Sequence, residues 1–242
     1  MNLEKLINNG PAEFETSLEM MLKGKLTTSE PKKKFIEFAD FLNTQSRDKK
    51  ESKLQPFLTA YFSQKAGTHC SDQNERNNLF EKSLNCYQAF QDNGDISKID
   101  LRYFSQWQIG ILQQALKKSW FLAEESLLKA MVYDPRRGES IREIIITYSR
   151  NKDWRIANIY SSYCVENLLG KVPVNGKWHI DLPFYRWKIL KYHVIILVNL
   201  NRMEQANECA KELFERAVSY KDLGASEKNE ISELRQSWKE IL

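Results

Sequence analysis

Three histidines and four cysteines are the side chains of this sequence with the most chemistry to offer, and their spacing decides what they can do. His69 and Cys70 adjoin in Thr68-His69-Cys70, while His179 and His193 stand apart from every cysteine. A metal centre needs three or four ligands at defined spacing. One adjacent pair falls short of that, so neither a metal nor another cofactor is expected. Cys70, Cys86 or Cys164 could meet a distant histidine in space as a nucleophile pair, but no local motif selects one. No GxxxxGK[ST] or GxGxxG pattern supplies the backbone cradle that nucleotide phosphates require. With Cys209, the cysteines are widely spread in a chain long enough to bury a core without staples, which reads as four reduced thiols.

Charge is the more informative polar signal. The chain carries 36 Lys+Arg against 32 Asp+Glu, a net of +4. Residues 135–202 alone hold 12 basic side chains and five acids, a net of +7, so the excess sits in one segment. In stacked helical hairpins the first helix of each pair lines the inner face. There Gln108, Arg142, Arg150, Lys188, Lys191 and Asn199 are expected to face a groove, with Tyr185 and Trp187 partly exposed beside it. Such a groove suits an acidic peptide, a carboxylate terminus or a phosphate. Nucleic acid is disfavoured: the isoelectric point of about 8.7 lies under the value of about 9 that marks a basic footprint, and no recognition motif is present.

These side chains must be positioned by helices. Nine glycines and six prolines in 242 residues are roughly half the usual share, too few turns for a sandwich, barrel or doubly wound sheet. Apolar periodicity near 3.6 predicts helices at about 12–26, 32–42, 54–65, 74–92, 98–116, 120–132, 139–150, 154–168, 184–200, 203–220 and 227–242. The polar stretch 43–53 reads as a connection and divides an N-terminal part, 1–53, from a repeat domain, 54–242, closed by a capping helix. Trp107, Gly110, Ala123, Leu127, Ala130 and Pro135 match the tetratricopeptide spacing. Tyr148, Ala157 and Cys164 begin a weaker copy, and Leu190, Leu197, Ala206, Ala210 and Leu213 mark a third after an irregular insert at 170–183. The expected fold is all-α, a right-handed tetratricopeptide-like superhelix of antiparallel hairpins, an α-solenoid.

From DPRRGESIREIIITYSRNKDW to FYRWKILKYHVIILVNLNRMEQA the sequence resembles the tetratricopeptide-like region that follows the catalytic domain in many bacterial family 2 glycosyltransferases. The likeness rests on Pro135, Arg137, Glu139, Tyr148, Asp153, Trp154, Ala157, Tyr185 and Trp187, and extends over about 54–210. The catalytic half of that family has an α/β nucleotide-sugar fold and an Asp-x-Asp metal motif. This sequence has no Asp-x-Asp triplet, so the resemblance implies the scaffold without the activity. The expectation is therefore a non-catalytic protein-interaction scaffold with a basic concave groove, whose acidic partner is a protein or peptide, a glycosyltransferase acting in trans among them. Two alternatives stay open: an enzyme of sugar transfer with an unrecognised site, and a binder of nucleic acid or another anionic polymer. MNLEKLINNG has Glu4 and Lys5 where a signal peptide has its apolar core, and no apolar run reaches 18 residues, so a bacterial cytoplasmic location without membrane insertion is expected.

Overall fold

The computed structural model describes residues 7–21, 30–45, 53–94, 96–174 and 178–239. Among these the chain forms eleven α-helices and no strand. They are α1 (Pro11–Met21), α2 (Pro31–Gln45), α3 (Gln55–Thr68), α4 (Gln73–Asn93), α5 (Ile99–Ala115), α6 (Trp120–Tyr133), α7 (Glu139–Arg150), α8 (Trp154–Asn167), α9 (Ile189–Asn199), α10 (Met203–Ser219) and α11 (Ala225–Trp238). A π-helical turn, Phe184–Lys188, leads into α9. Of the expected spans, 22–26 and the last three residues of 227–242 lie outside the described residues, as does most of the connection 43–53, into which α2 extends as far as Gln45.

Local chemistry sets the helix ends. Pro11 and Pro31 open α1 and α2, and Pro56 lies in the first turn of α3, where a missing amide donor costs nothing. Asp72 caps α4 by accepting from the Glu75 amide at 2.7 Å. Three hairpins, α5–α6, α7–α8 and α9–α10, share one turn. Lys117, Lys152 and Asn201 sit in the left-handed region, and the following amide returns to a carbonyl five residues back: Lys118 to Gln113 (2.8 Å), Asp153 to Tyr148 (2.9 Å) and Arg202 to Leu197 (2.9 Å). The glycine usual at this position is absent from all three, which is how the chain makes sharp hairpins with so few glycines.

Two compact units form. The first takes the helices up to Asp134 together with Trp178 and His179. Within it α2 packs on α3, α3 on α4, α4 on α5 and α5 on α6, so the helix before residue 54 shares a unit with those that follow. Gly110 marks the α5–α6 crossing: a Cβ there would lie 2.7 Å from the Leu127 side chain and 3.1 Å from the Ala123 carbonyl. Trp178 is buried with ring centroids 4.9 Å from Phe57, 5.2 Å from Tyr61 and 5.5 Å from Phe104. Its indole donates to the Ile7 carbonyl (3.1 Å), and its amide donates to the Asp100 carboxylate (3.3 Å). Part of the irregular insert thus serves as core.

The second unit takes Pro135–Val174 and the residues from Ile180 onward. Here α7 packs on α8, α8 on α9, α9 on α10 and α10 on α11, the sequential antiparallel order of stacked hairpins. Its core joins Trp187, Leu190, Val194 and Leu197 to Ala206, Ala210, Leu213 and Ala217, and α11 adds Ile231 and Trp238.

Candidate functional site

Fully buried Arg137 and Glu139 form an ion pair, Nε to Oε2 3.2 Å, beside the start of α7. The same carboxylate accepts the Tyr185 hydroxyl (3.1 Å) and the Asp181 amide (3.2 Å), and the Tyr185 oxygen accepts the Gly138 amide (2.7 Å). Each buried polar atom in this set so finds a partner, the condition under which a buried ion pair is tolerated. Trp187, also buried, donates from Nε1 to Glu227 on α11 at 3.2 Å. The expectation that Tyr185 and Trp187 are partly exposed is therefore corrected: both face inward, because the π-helical turn aims them at the α7 start and at α11.

The cations expected to line a groove also have partners. Arg142 holds Glu143 (Nη2 to Oε1 2.7 Å) and pairs with Asp181. Burial works against its charge, yet the two carboxylates keep its pKa above the ordinary arginine value. Lys188 and Lys191 share Glu230, at 3.5 and 2.5 Å. Burial opposes the charge of Glu230, and the two ammonium groups outweigh it and hold its pKa below the ordinary glutamate value. Glu230 lies on α11, outside the positive segment 135–202, so its pairing with these lysines is tertiary and has no mark in the local sequence. Arg150 and Asn199 are exposed, Asn199 donating to the Ile195 carbonyl at 2.8 Å; Gln108 belongs to the other unit and is buried.

Nucleophilic chemistry finds little support in the geometry. Burial pushes up the pKa of all four thiols, and Cys70 also donates to Glu75 at 3.1 Å. Low thiolate content follows at neutral pH. Ser161 Oγ lies 2.9 Å from His193 Nδ1 but also donates to the Asn158 carbonyl at 3.2 Å. The direction of the Ser161–His193 bond is set by the imidazole tautomer and by which of the two acceptors takes the hydroxyl proton. Burial and then Arg202 lower the His193 pKa. Among the described residues no group of three or more His, Cys, Asp or Glu could hold a metal ion.

A cleft between α10 and α11 is the more open feature, and the sequence reading did not single it out. About 500 Å³ in volume, it has an apolar floor of Ala217, Val218, Tyr220, Leu223 and Ile231, with Lys221, Lys228, Ser232 and Arg235 at its margin. Val218 is 75% exposed, an apolar side chain left to water. Arg235 lies over the Phe214 ring, 4.9 Å from its centroid. Among the described residues Lys221 and Lys228 have no carboxylate within ion-pair distance, and the neighbouring Asp222 is taken by Arg186 at 2.9 Å. A basic margin round an apolar floor complements an acidic amphipathic segment.

No protein-family model, curated protein or solved structure matches the chain. Among the described residues no helix is long and apolar enough to cross a membrane.

Proposed function

We propose that this chain is a non-catalytic protein-interaction scaffold of tetratricopeptide-like hairpins, and that it docks an acidic amphipathic segment of a partner protein in the α10–α11 cleft. The observation that carries the reading is the cleft itself, an apolar floor bordered by lysines with no carboxylate of their own among the described residues. Arg142, Lys188 and Lys191, by contrast, already hold Glu143, Asp181 and Glu230. A partner at those three would have to displace acids whose attraction it could only replace. The tetratricopeptide-like superhelix remains part of the proposal, supported by the common turn of three hairpins, by Gly110 and Ala123 at the α5–α6 crossing and by the full burial of Ala157 on α8. The resemblance over about 54–210 makes a separately encoded glycosyltransferase the first partner to test.

The experiment uses a fluorescent helical peptide with leucines on one face and glutamates on the other. Lys221→Glu with Lys228→Glu should weaken its binding at least tenfold, as should raising the salt, since exposed charges are screened within about 8 Å at physiological ionic strength. Lys188→Gln with Lys191→Gln should leave affinity within about twofold. Binding that survives the lysine reversals and ignores salt overturns the assignment of the cleft.

A further inference from the structure

The cations beside the α10–α11 cleft form a row. Arg235 and Lys239 stand seven and eleven residues on from Lys228, with Ser232 between, so helical geometry sets them along one flank of α11 beside Ile231 of the cleft floor. Lys239 still has helical backbone angles (φ −56°, ψ −29°), which carries the row to the end of α11. At a rise of about 1.5 Å per residue, Arg235 lies roughly 10 Å from Lys228 along the axis, and Lys239 roughly 16 Å. All three are exposed, and among the described residues none has a carboxylate within ion-pair distance. The acids nearby are committed elsewhere: Asp222 to Arg186, Glu227 to the Trp187 indole and the Gly224 amide, Glu230 to Lys188 and Lys191. Glu233, two residues before Arg235, falls on the other side of the helix. Arg235 differs from its neighbours in being held, its guanidinium carbon 4.9 Å from the centroid of the Phe214 ring.

We infer, resting on the reading of this cleft as a docking site, that the acidic segment it takes is an α-helix of at least three turns whose carboxylates recur at i, i+7 and i+11 beside its apolar row, and that Arg235 sets its register. Acids so spaced lie on one flank of a helix with the same rise per residue as α11, and all three meet a cation at once. The same sequence in extended form, at about 3.3 Å per residue, would put the first two acids about 23 Å apart, more than twice the Lys228–Arg235 spacing. Stacking favours a helix as well. In the second unit α8, α9 and α10 each lie between two neighbouring helices, whereas α11 turns Glu227 and Glu230 inward and leaves its cation row without a helix across from it among the described residues. A helix seated with its apolar face on the cleft floor would continue the stack. The lysines at the two ends are point charges on flexible stems and tolerate displacement; the planar fork of Arg235, oriented by Phe214, is what fixes one carboxylate in place.

Three fluorescent peptides, each titrated into the full chain, test this. The first is helical, with glutamates at i, i+7 and i+11 beside a row of leucines; the second has the same residues with the three glutamates consecutive; the third is the first with a central proline that breaks the helix. The first should bind at least fivefold more tightly than either of the others. Arg235→Gln should remove that advantage, and Arg235→Lys, which keeps the charge and loses the fork, should restore only part of it. Equal affinity for the three peptides, with binding still lost in the Lys221→Glu, Lys228→Glu protein, would overturn the helical spacing while leaving the cleft as the docking site. A preference that persists undiminished in Arg235→Gln would overturn the role given to Arg235. Failure of all three peptides to bind would overturn the docking site itself, and this inference with it.

Discussion

Tyr185 shows how a single side chain can look like a binding residue and act as a structural one. Its hydroxyl accepts from the Gly138 amide and donates to Glu139, closing a network that also holds Arg137. Tyr185→Phe should therefore lower stability by about 1–3 kcal/mol, the cost of stranding buried polar groups, as read from a denaturation midpoint; an unchanged midpoint would show that the network is dispensable. His193 carries a pH signature. Its folded-state pKa lies below the ordinary 6.5, so as pH falls below about 6.5 the unfolded chain takes up a proton that the fold resists. Stability contributed by the neutral, buried ring is complete above that pH and is lost progressively toward the lower folded value. Thermal unfolding followed from pH 7.5 to 5 should show a declining midpoint, and His193→Gln should flatten the decline.

At the scale of elements, the helices were legible because apolar periodicity and breakers write them directly, and the eleven expected spans match within a few residues over the described positions, 184–200 opening on the π-helical turn. The turns were not legible, since Lys117, Lys152 and Asn201 take a left-handed backbone that glycine usually signals. A lysine there costs about 1–2 kcal/mol in backbone strain, and glycine carries an entropic cost of about 0.5–1 kcal/mol, so Lys152→Gly should stabilise by up to about 1 kcal/mol. Helix crossings give the opposite sign. Ala123 and Ala157 are fully buried, and Ala123→Leu or Ala157→Leu should cost about 1–3 kcal/mol by overfilling a close approach. Unchanged melting in both would mean that the repeat positions are misassigned. Candidate-site residues were harder to read than helices because their pairing is tertiary. The positive charge of 135–202 can be counted from the sequence, but Glu230, which holds two of its lysines, arrives from α11. Arg137, Glu139, Tyr185 and Trp187, on which the resemblance rests, likewise mark packing within the second unit.

At the scale of the whole molecule, the proposed binding surface is one the fold leaves unsatisfied rather than the segment richest in charge. Cations with partners of their own contribute to stability; those without a carboxylate, beside exposed Val218, are what a partner could use. Chemical-shift mapping of the full ¹⁵N-labelled chain with the acidic amphipathic peptide, at low and at physiological salt, tests this most directly. The account predicts shifts concentrated on 217–235, including Val218, Lys221 and Lys228, that shrink as salt rises. Shifts centred on Arg142, Lys188 and Lys191, or no saturable shifts at either salt, would contradict it.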